Sequence, residues 1–342
     1  MSHAQVSRGA AGPSEGWEKF ACFDSQPIVS PVNPLRAGVQ TLMRLPKTLL
    51  ALLTLVIFSG QTPLPYGPQG AEAEPNREQP YRKQIWLVPT PLADHPAHAV
   101  LYRPPGDGPF HLAVIAHATT QNVLRRAQMP QPEYRALAAF FVARGYAVLV
   151  PERLGHGGTG GTYLEDQGGC DEADYARSGR ATADQILLAL QFMQRQPFIR
   201  PEGAVLIGHS AGGWGALALA NESQKVISAI IAFAPGRGGH ANDFENRYCA
   251  PHTLIAAAET FGKAASVPVT WLVAANDTYF SPEFSKKLVE VFRAGGAKVD
   301  FRVLPAFGGE GHWLPESEGG VKLASSELDR ALKGQATAAR KR

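Results

Sequence analysis

Ala204-Val205-Leu206-Ile207-Gly208-His209-Ser210-Ala211-Gly212-Gly213-Trp214-Gly215-Ala216-Leu217-Ala218-Leu219 sets a serine among glycines where two apolar runs meet. The four residues before Gly208 are apolar, two of them β-branched, as in a short buried strand, and the Ala/Leu run after Gly213 has the composition of a buried helix. The order predicted is strand, sharp turn, helix. By itself Gly208-x-Ser210-x-Gly212 is thin, since chance supplies roughly 0.2 such matches in a chain of this glycine and serine content. The flanks give it meaning. In a nucleophile elbow the serine sits at a strained backbone conformation, and neighbours two positions away collide unless they are small. Gly208, Gly212 and Gly213 meet that need; an ordinary glycine-rich strand-to-helix turn is the alternative.

A serine hydroxyl is a weak nucleophile and needs a base, itself oriented by an acid. In this architecture both follow the serine, each on a loop after a late strand. Val267 to Ala275 is a strand candidate, and Asn276-Asp277-Thr278 follows it before Ser281-Pro282-Glu283 opens a helix, so Asp277 is the expected acid. A turn aspartate bonded to its own backbone is the competing reading. Asp300 and Glu310 are rivals, but Asp300 lies within the next strand, Val299 to Pro305, and Glu310 is too near the histidine in sequence to reach round its ring. The loop after that strand, Ala306-Phe307-Gly308-Gly309-Glu310-Gly311-His312-Trp313, offers His312 as the base. His209, inside the elbow, and His117, at the end of an early strand, are expected to be structural. For an oxyanion hole, Ala211 supplies one N–H, and Thr119, in the loop after the strand His111 to Ala116, is the choice for the second.

These residues resemble the α/β-hydrolase superfamily, from about Lys83 to about Leu332. The Ser-x-Gly-Gly of Ser210 to Gly213, the Asn-Asp of Asn276 and Asp277, and the Gly-His of Gly311 and His312 are most similar to its dienelactone hydrolase-like branch. Dienelactone hydrolases proper use a cysteine where Ser210 stands, which moves the implied chemistry toward ordinary ester hydrolysis. The branch's usual His-Gly is His117-Ala118 here, which leaves the second oxyanion donor open.

The remaining pattern fits an α/β-hydrolase fold: a mostly parallel, doubly wound sheet with helices on both faces. Ala147 to Pro151 and Val226 to Phe233 are strand candidates; Tyr134 to Arg144 and Ala181 to Gln196 are helix candidates, the latter with Ile186, Leu187, Leu190 and Met193 on one face. With 342 residues, 44% of them hydrophobic, the chain can bury the core of one such domain, expected over 74–342 with a loop or small cap insertion near 236–265. A net charge of +3 gives no stripe for nucleic acid, and no metal-ligand spacing is present. No cofactor is implied.

The amino terminus reads differently. Met43-Arg44-Leu45-Pro46-Lys47, the apolar Leu49 to Phe58 and the small-x-small Ala71-Glu72-Ala73 together predict a signal peptide over 43–73, cleaved near Ala73, with 1–42 an over-extended, disordered start. The apolar run is too short to span a bilayer and no cysteine follows it directly, so no stable membrane anchor is expected. Export would leave two cysteines, Cys170 and Cys249, an even count that points to a disulfide, with two buried free thiols as the alternative. The expectation is a periplasmic or secreted serine hydrolase acting on a small-molecule acyl substrate, carboxylesterase-like. A peptidase of the same fold and a non-catalytic binding protein are the rivals, and the oligomeric state is not set by the sequence. Arg237 is read as either a carboxylate binder or a solvated loop residue.

Overall fold

The computed structural model describes residues 66–340 apart from 78 and 264. The expected over-extended start, 1–42, and the basic and apolar parts of the leader lie outside the described residues.

The described chain forms nine strands and seven α-helices, which alternate singly from Tyr146 onward apart from short 3₁₀ turns. The strands are β1 (Gly67–Ala73), β2 (Arg82–Val88), β3 (Ala97–Arg103), β4 (His111–Ala116), β5 (Tyr146–Pro151), β6 (Ala204–His209), β7 (Ile227–Phe233), β8 (Val269–Ala274) and β9 (Val299–Leu304). The helices are α1 (Val123–Ala127), α2 (Arg135–Val142), α3 (Tyr175–Gln194), α4 (Ala211–Ala218), α5 (Pro251–Gly262), α6 (Pro282–Ala294) and α7 (Glu318–Arg340). They form one sheet in the order β1-β2-β3-β5-β4-β6-β7-β8-β9. Pairing is antiparallel from β1 to β5 and parallel from β5 to β9.

The central strands are apolar along most of their length because both faces are covered. In β6, Ala204 and Leu206 join the core beneath α3, α4, α5 and α6, while Val205 and Ile207 face the core built with α2 and α7. β4 divides in the same way, Leu112 and Val114 on the first face and Ala113 and Ile115 on the second. The expected doubly wound sheet is therefore present, with β6 near its middle and the carboxyl ends of β4 to β9 on one edge.

Three details differ from the sequence reading. Helix α3 begins at Tyr175 and not at Ala181, because the Asp174 carboxylate accepts the Arg177 N–H at 2.8 Å and caps an earlier turn. The segment near 236–265 is divided: 251–262 is α5, packed in the helical layer, and only the part before it is an irregular loop. Ala71-Glu72-Ala73 belongs to β1, paired with β2, and Glu72 bonds Arg103 and faces Arg82. Cleavage at Ala73 would strip that strand from the sheet.

Candidate active site

Ser210 joins β6 to α4 at φ +54°, ψ −119°, a conformation non-glycine residues rarely hold. Backbone bonds on both sides maintain it: Ser210 N–H donates to Phe233 O at 2.9 Å, and Gly236 N–H donates to Ser210 O at 3.2 Å. The glycines are required by contact. A Cβ on Gly208 would meet the backbone of Gly213, and one on Gly212 would run into the carbonyl oxygens of Ala116 and His117. Gly212 thus lets α4 press against the end of β4. Ala211 opens α4, and its N–H has no protein acceptor among the described residues.

Asp277 and His312 are brought together from the loops after β8 and β9. His312 Nδ1 lies 3.0 Å from Asp277 Oδ2, and both residues are about 2% exposed. The other oxygen, Oδ1, accepts the Phe280 N–H at 2.7 Å, so the turn role weighed against Asp277 is also real and fixes the carboxylate's orientation. Asn276 sews the two loops together, its Oδ1 accepting from Phe307 N–H at 2.8 Å and its Nδ2 donating to the carbonyls of Phe307 and Gly308. Glu310 is no rival acid: its carboxylate accepts the N–H groups of Thr278 and His312, tying one loop to the other. Asp300 sits on β9 beside Arg302, away from the ring.

Burial pushes the His312 imidazole below its ordinary pKa, and the Asp277 carboxylate holds it part of the way back. Tyr279 stacks on His312 at 4.4 Å and His240 stacks on Tyr279 at 3.6 Å, so the His312 ring is one layer of a three-ring pile. His209 and His312 rings lie 5.0 Å apart. No hydrogen bond joins Ser210 Oγ to the His312 ring among the described contacts; such bonds commonly tighten only when substrate binds.

His117 is buried just past the end of β4, and its partners shape the loop that carries Thr119. Its Nε2 accepts the Arg153 N–H at 3.1 Å, so Nδ1 carries the hydrogen and donates to Ala118 O at 2.6 Å. His156 was not anticipated. Its Nδ1 faces the carbonyls of Arg153 and Leu154, leaving Nε2 to accept the Thr119 hydroxyl hydrogen. Burial lowers His156 to about 4 and His117 well below the ordinary histidine value, so both stay neutral acceptors. The Thr119 N–H has no protein acceptor among the described residues. The signal for His156 was the glycine-rich Gly155-His156-Gly157-Gly158, which marks a tightly folded loop without naming its partner.

A family model for the prolyl oligopeptidase family, a peptidase family of serine hydrolases, matches residues 132–329, more than half of the chain. The chain belongs to the prolyl oligopeptidase family. No curated protein matches it in sequence. Among solved structures it is similar to a puromycin-hydrolyzing peptidase of Mycobacterium tuberculosis (TM-score 0.53, 17% identity, 74% of this chain and 40% of the peptidase). It is also similar to the Pyrococcus furiosus esterase PF2001 (TM-score 0.52, 14% identity, 79% of this chain and 97% of the esterase). A third is Est1E of Butyrivibrio proteoclasticus, solved with ferulic acid bound (TM-score 0.52, 15% identity, 73% of this chain and 99% of that one). At these identities the likeness establishes the α/β-hydrolase fold. This chain spans less than half the length of the peptidase and nearly all of the other two.

In this prolyl oligopeptidase family member the wall beside the site is built from buried charge. Arg237 is neither solvated nor free: it is 3% exposed and pairs with Glu165, which also pairs with Arg153. Burial alone would raise the Glu165 carboxyl, but the two guanidinium groups hold it below the usual carboxylate range. Arg237 Nη1 also donates to Tyr163 Oη at 3.1 Å, and the Arg126 guanidinium lies 3.6 Å over the Tyr163 ring, next to the oxyanion loop. Cys170 and Cys249 are joined by a disulfide that pins the 236–250 loop to the loop after β5. A hollow of about 560 Å³ opens beside this bridge, lined in part by Phe244, Arg247 and Tyr248; Ser210, Asp277 and His312 are not among its lining residues. No described helix is long and apolar enough to cross a membrane, and the described residues contain no cluster of metal-ligating side chains.

Proposed function

We propose that this protein is an exported serine hydrolase that cleaves a carboxylic ester or related acyl bond. Ser210 Oγ attacks the acyl carbonyl while His312 Nε2 takes its proton. Asp277 Oδ2 holds the Nδ1–H tautomer, and the N–H groups of Ala211 and Thr119 receive the oxyanion. The tetrahedral species collapses as His312 returns the proton to the departing alcohol, leaving an acyl-Ser210 ester that water opens by the same relay. The observation that carries this reading is the buried 3.0 Å contact of Asp277 with His312, on the sheet edge where Ser210 holds its positive φ.

The test is a fluorophosphonate probe, expected to label Ser210 in the intact protein and not Ser210→Ala. A folded sample that stays unlabelled would favour the binding-protein reading. Because His312 must be neutral to accept a proton and burial lowers its pKa, kcat/KM is expected to hold at neutral pH and fall on the acid side, with its midpoint below 6.5. A profile without an acid limb would remove His312 from the role.

Peptide bond cleavage is the second reading, favoured by the family match. Parallel assays on short aryl esters and on aminoacyl or dipeptidyl amides separate the two. Export is proposed from the leader and the disulfide, with the mature chain keeping β1 and therefore starting at or before Tyr66.

A further inference from the structure

Behind the site, the oxyanion loop and the base loop are joined by hydrogen bonds that neither the relay nor the oxyanion hole needs. Ala118 N–H donates to Tyr134 Oη at 3.2 Å. Tyr134 Oη lies 2.9 Å from His209 Nδ1, and His209 Nε2 lies 2.8 Å from the carbonyl oxygen of His312. A carbonyl only accepts, so Nε2 carries a hydrogen and donates to His312 O, while Nδ1 faces the Tyr134 hydroxyl. The bonds run from the residue before Thr119, through Tyr134 and His209, to the backbone of the base. The Tyr134 hydroxyl also reaches Glu316 Oε1, to which it donates at 3.3 Å, so its one hydrogen is shared between His209 Nδ1 and this carboxylate on the base-loop side.

Burial and strain mark this as a built connection. Tyr134 is 8% exposed and His209 1%. Tyr134 precedes α2 at φ +46°, an outlier for a bulky residue that persists only where its surroundings fix it. His209 is fixed in turn by its place between Gly208 and Ser210, so the chain of bonds also passes through the elbow.

We infer that Tyr134 and His209 are positioning residues that couple the Ala118–Thr119 oxyanion loop to the backbone of His312. The inference rests on the serine chemistry proposed above. Oxyanion donors act only if they meet the place where charge develops, and a misplacement of about 1 Å costs on the order of 100-fold in rate. Both donor and base here are on loops, and this chain fixes their separation.

Tyr134→Phe keeps the ring and deletes the hydroxyl. On a short aryl ester, kcat is expected to fall about 10- to 100-fold with KM within about threefold. Amide hydrogen exchange is expected to quicken both at 118–119 and at 312–316. His209→Asn should give a similar loss, and the double variant should lose little more than either single one. If Tyr134 only stabilises the fold, Tm falls, kcat per folded enzyme stays within twofold, and exchange quickens around residue 134 without reaching 312–316; that result overturns the coupling. If the wild type neither turns over esters nor takes up the fluorophosphonate, the serine reading fails, while the exchange pattern still decides whether the two loops are coupled.

Discussion

Asp277 presents its two carboxylate oxygens to different partners, and this makes a sharp test possible. Oδ1 accepts the Phe280 N–H and Oδ2 faces His312 Nδ1. In Asp277→Asn the amide oxygen must stay with Phe280, so the NH2 group turns to His312 and forces the ring into the opposite tautomer, with Nε2 now carrying the hydrogen. Folding should survive, with Tm within a few degrees, while kcat falls by about 10⁴. A variant within tenfold of wild type would show that Asp277 does not orient the base. At this scale what was legible in the sequence is placement: Ser210, Asp277 and His312 each lie on a connection that leaves the carboxyl end of a strand. Tyr134 and His156 were not legible, because their importance lies in contacts with His209 and Thr119, 75 and 37 residues away. Of the two readings of Arg237, the solvated one fails for the same reason, its partner Glu165 being 72 residues distant.

Elements were readable where both faces of a strand are buried, since β4, β5, β6 and β7 are apolar along most of their length. Their failures were at ends, where one side chain decides. Asp174 moved the start of α3. The Ala-x-Ala read as a cleavage motif forms the last three residues of β1, an edge strand. Strand β1 is held by its ladder to β2, by the Tyr66 ring 6.0 Å from Phe192, and by Glu72, which has side-chain exposure of 15% and bonds Arg103 at 2.8 Å. A chain starting at Glu74 loses all three and bares the β2 edge to other chains. Loss of the charged hydrogen bond alone is on the order of 2 kcal/mol, a Tm decrease of about 4–8 °C for a domain of this size, with greater aggregation. Mass spectrometry of the exported protein should place its amino terminus at or before Tyr66; a terminus at Glu74 in a stable, active sample would show that β1 is dispensable.

Across the whole molecule, three histidines are buried and held neutral: His117 and His156 behind the oxyanion loop and His312 in the proposed relay. Burial is the largest cause of each downward shift, so the folded state refuses protons that the unfolded chain accepts near pH 6.5. The sign follows from linkage. The unfolded state binds more protons between about pH 6.5 and the lowered folded values, so stability rises with pH across that window, is full above it, and drains away as pH falls toward about 4. Each such group contributes up to about 1.4 kcal/mol per pH unit, and three acting together up to about 4. Glu165, held below the usual carboxylate range by Arg153 and Arg237, adds to the loss at the acid end of the window. Urea unfolding from pH 7.5 to 5 should show little change at the upper end and a steep decline below pH 6. His156→Gln should reduce that slope by about one proton's worth, because the loop it supports then contains no titrating ring at that place. A slope unchanged by the substitution would mean that the His156 ring takes up its proton alike in the folded and unfolded chain, and that burial behind Thr119 does not keep it neutral.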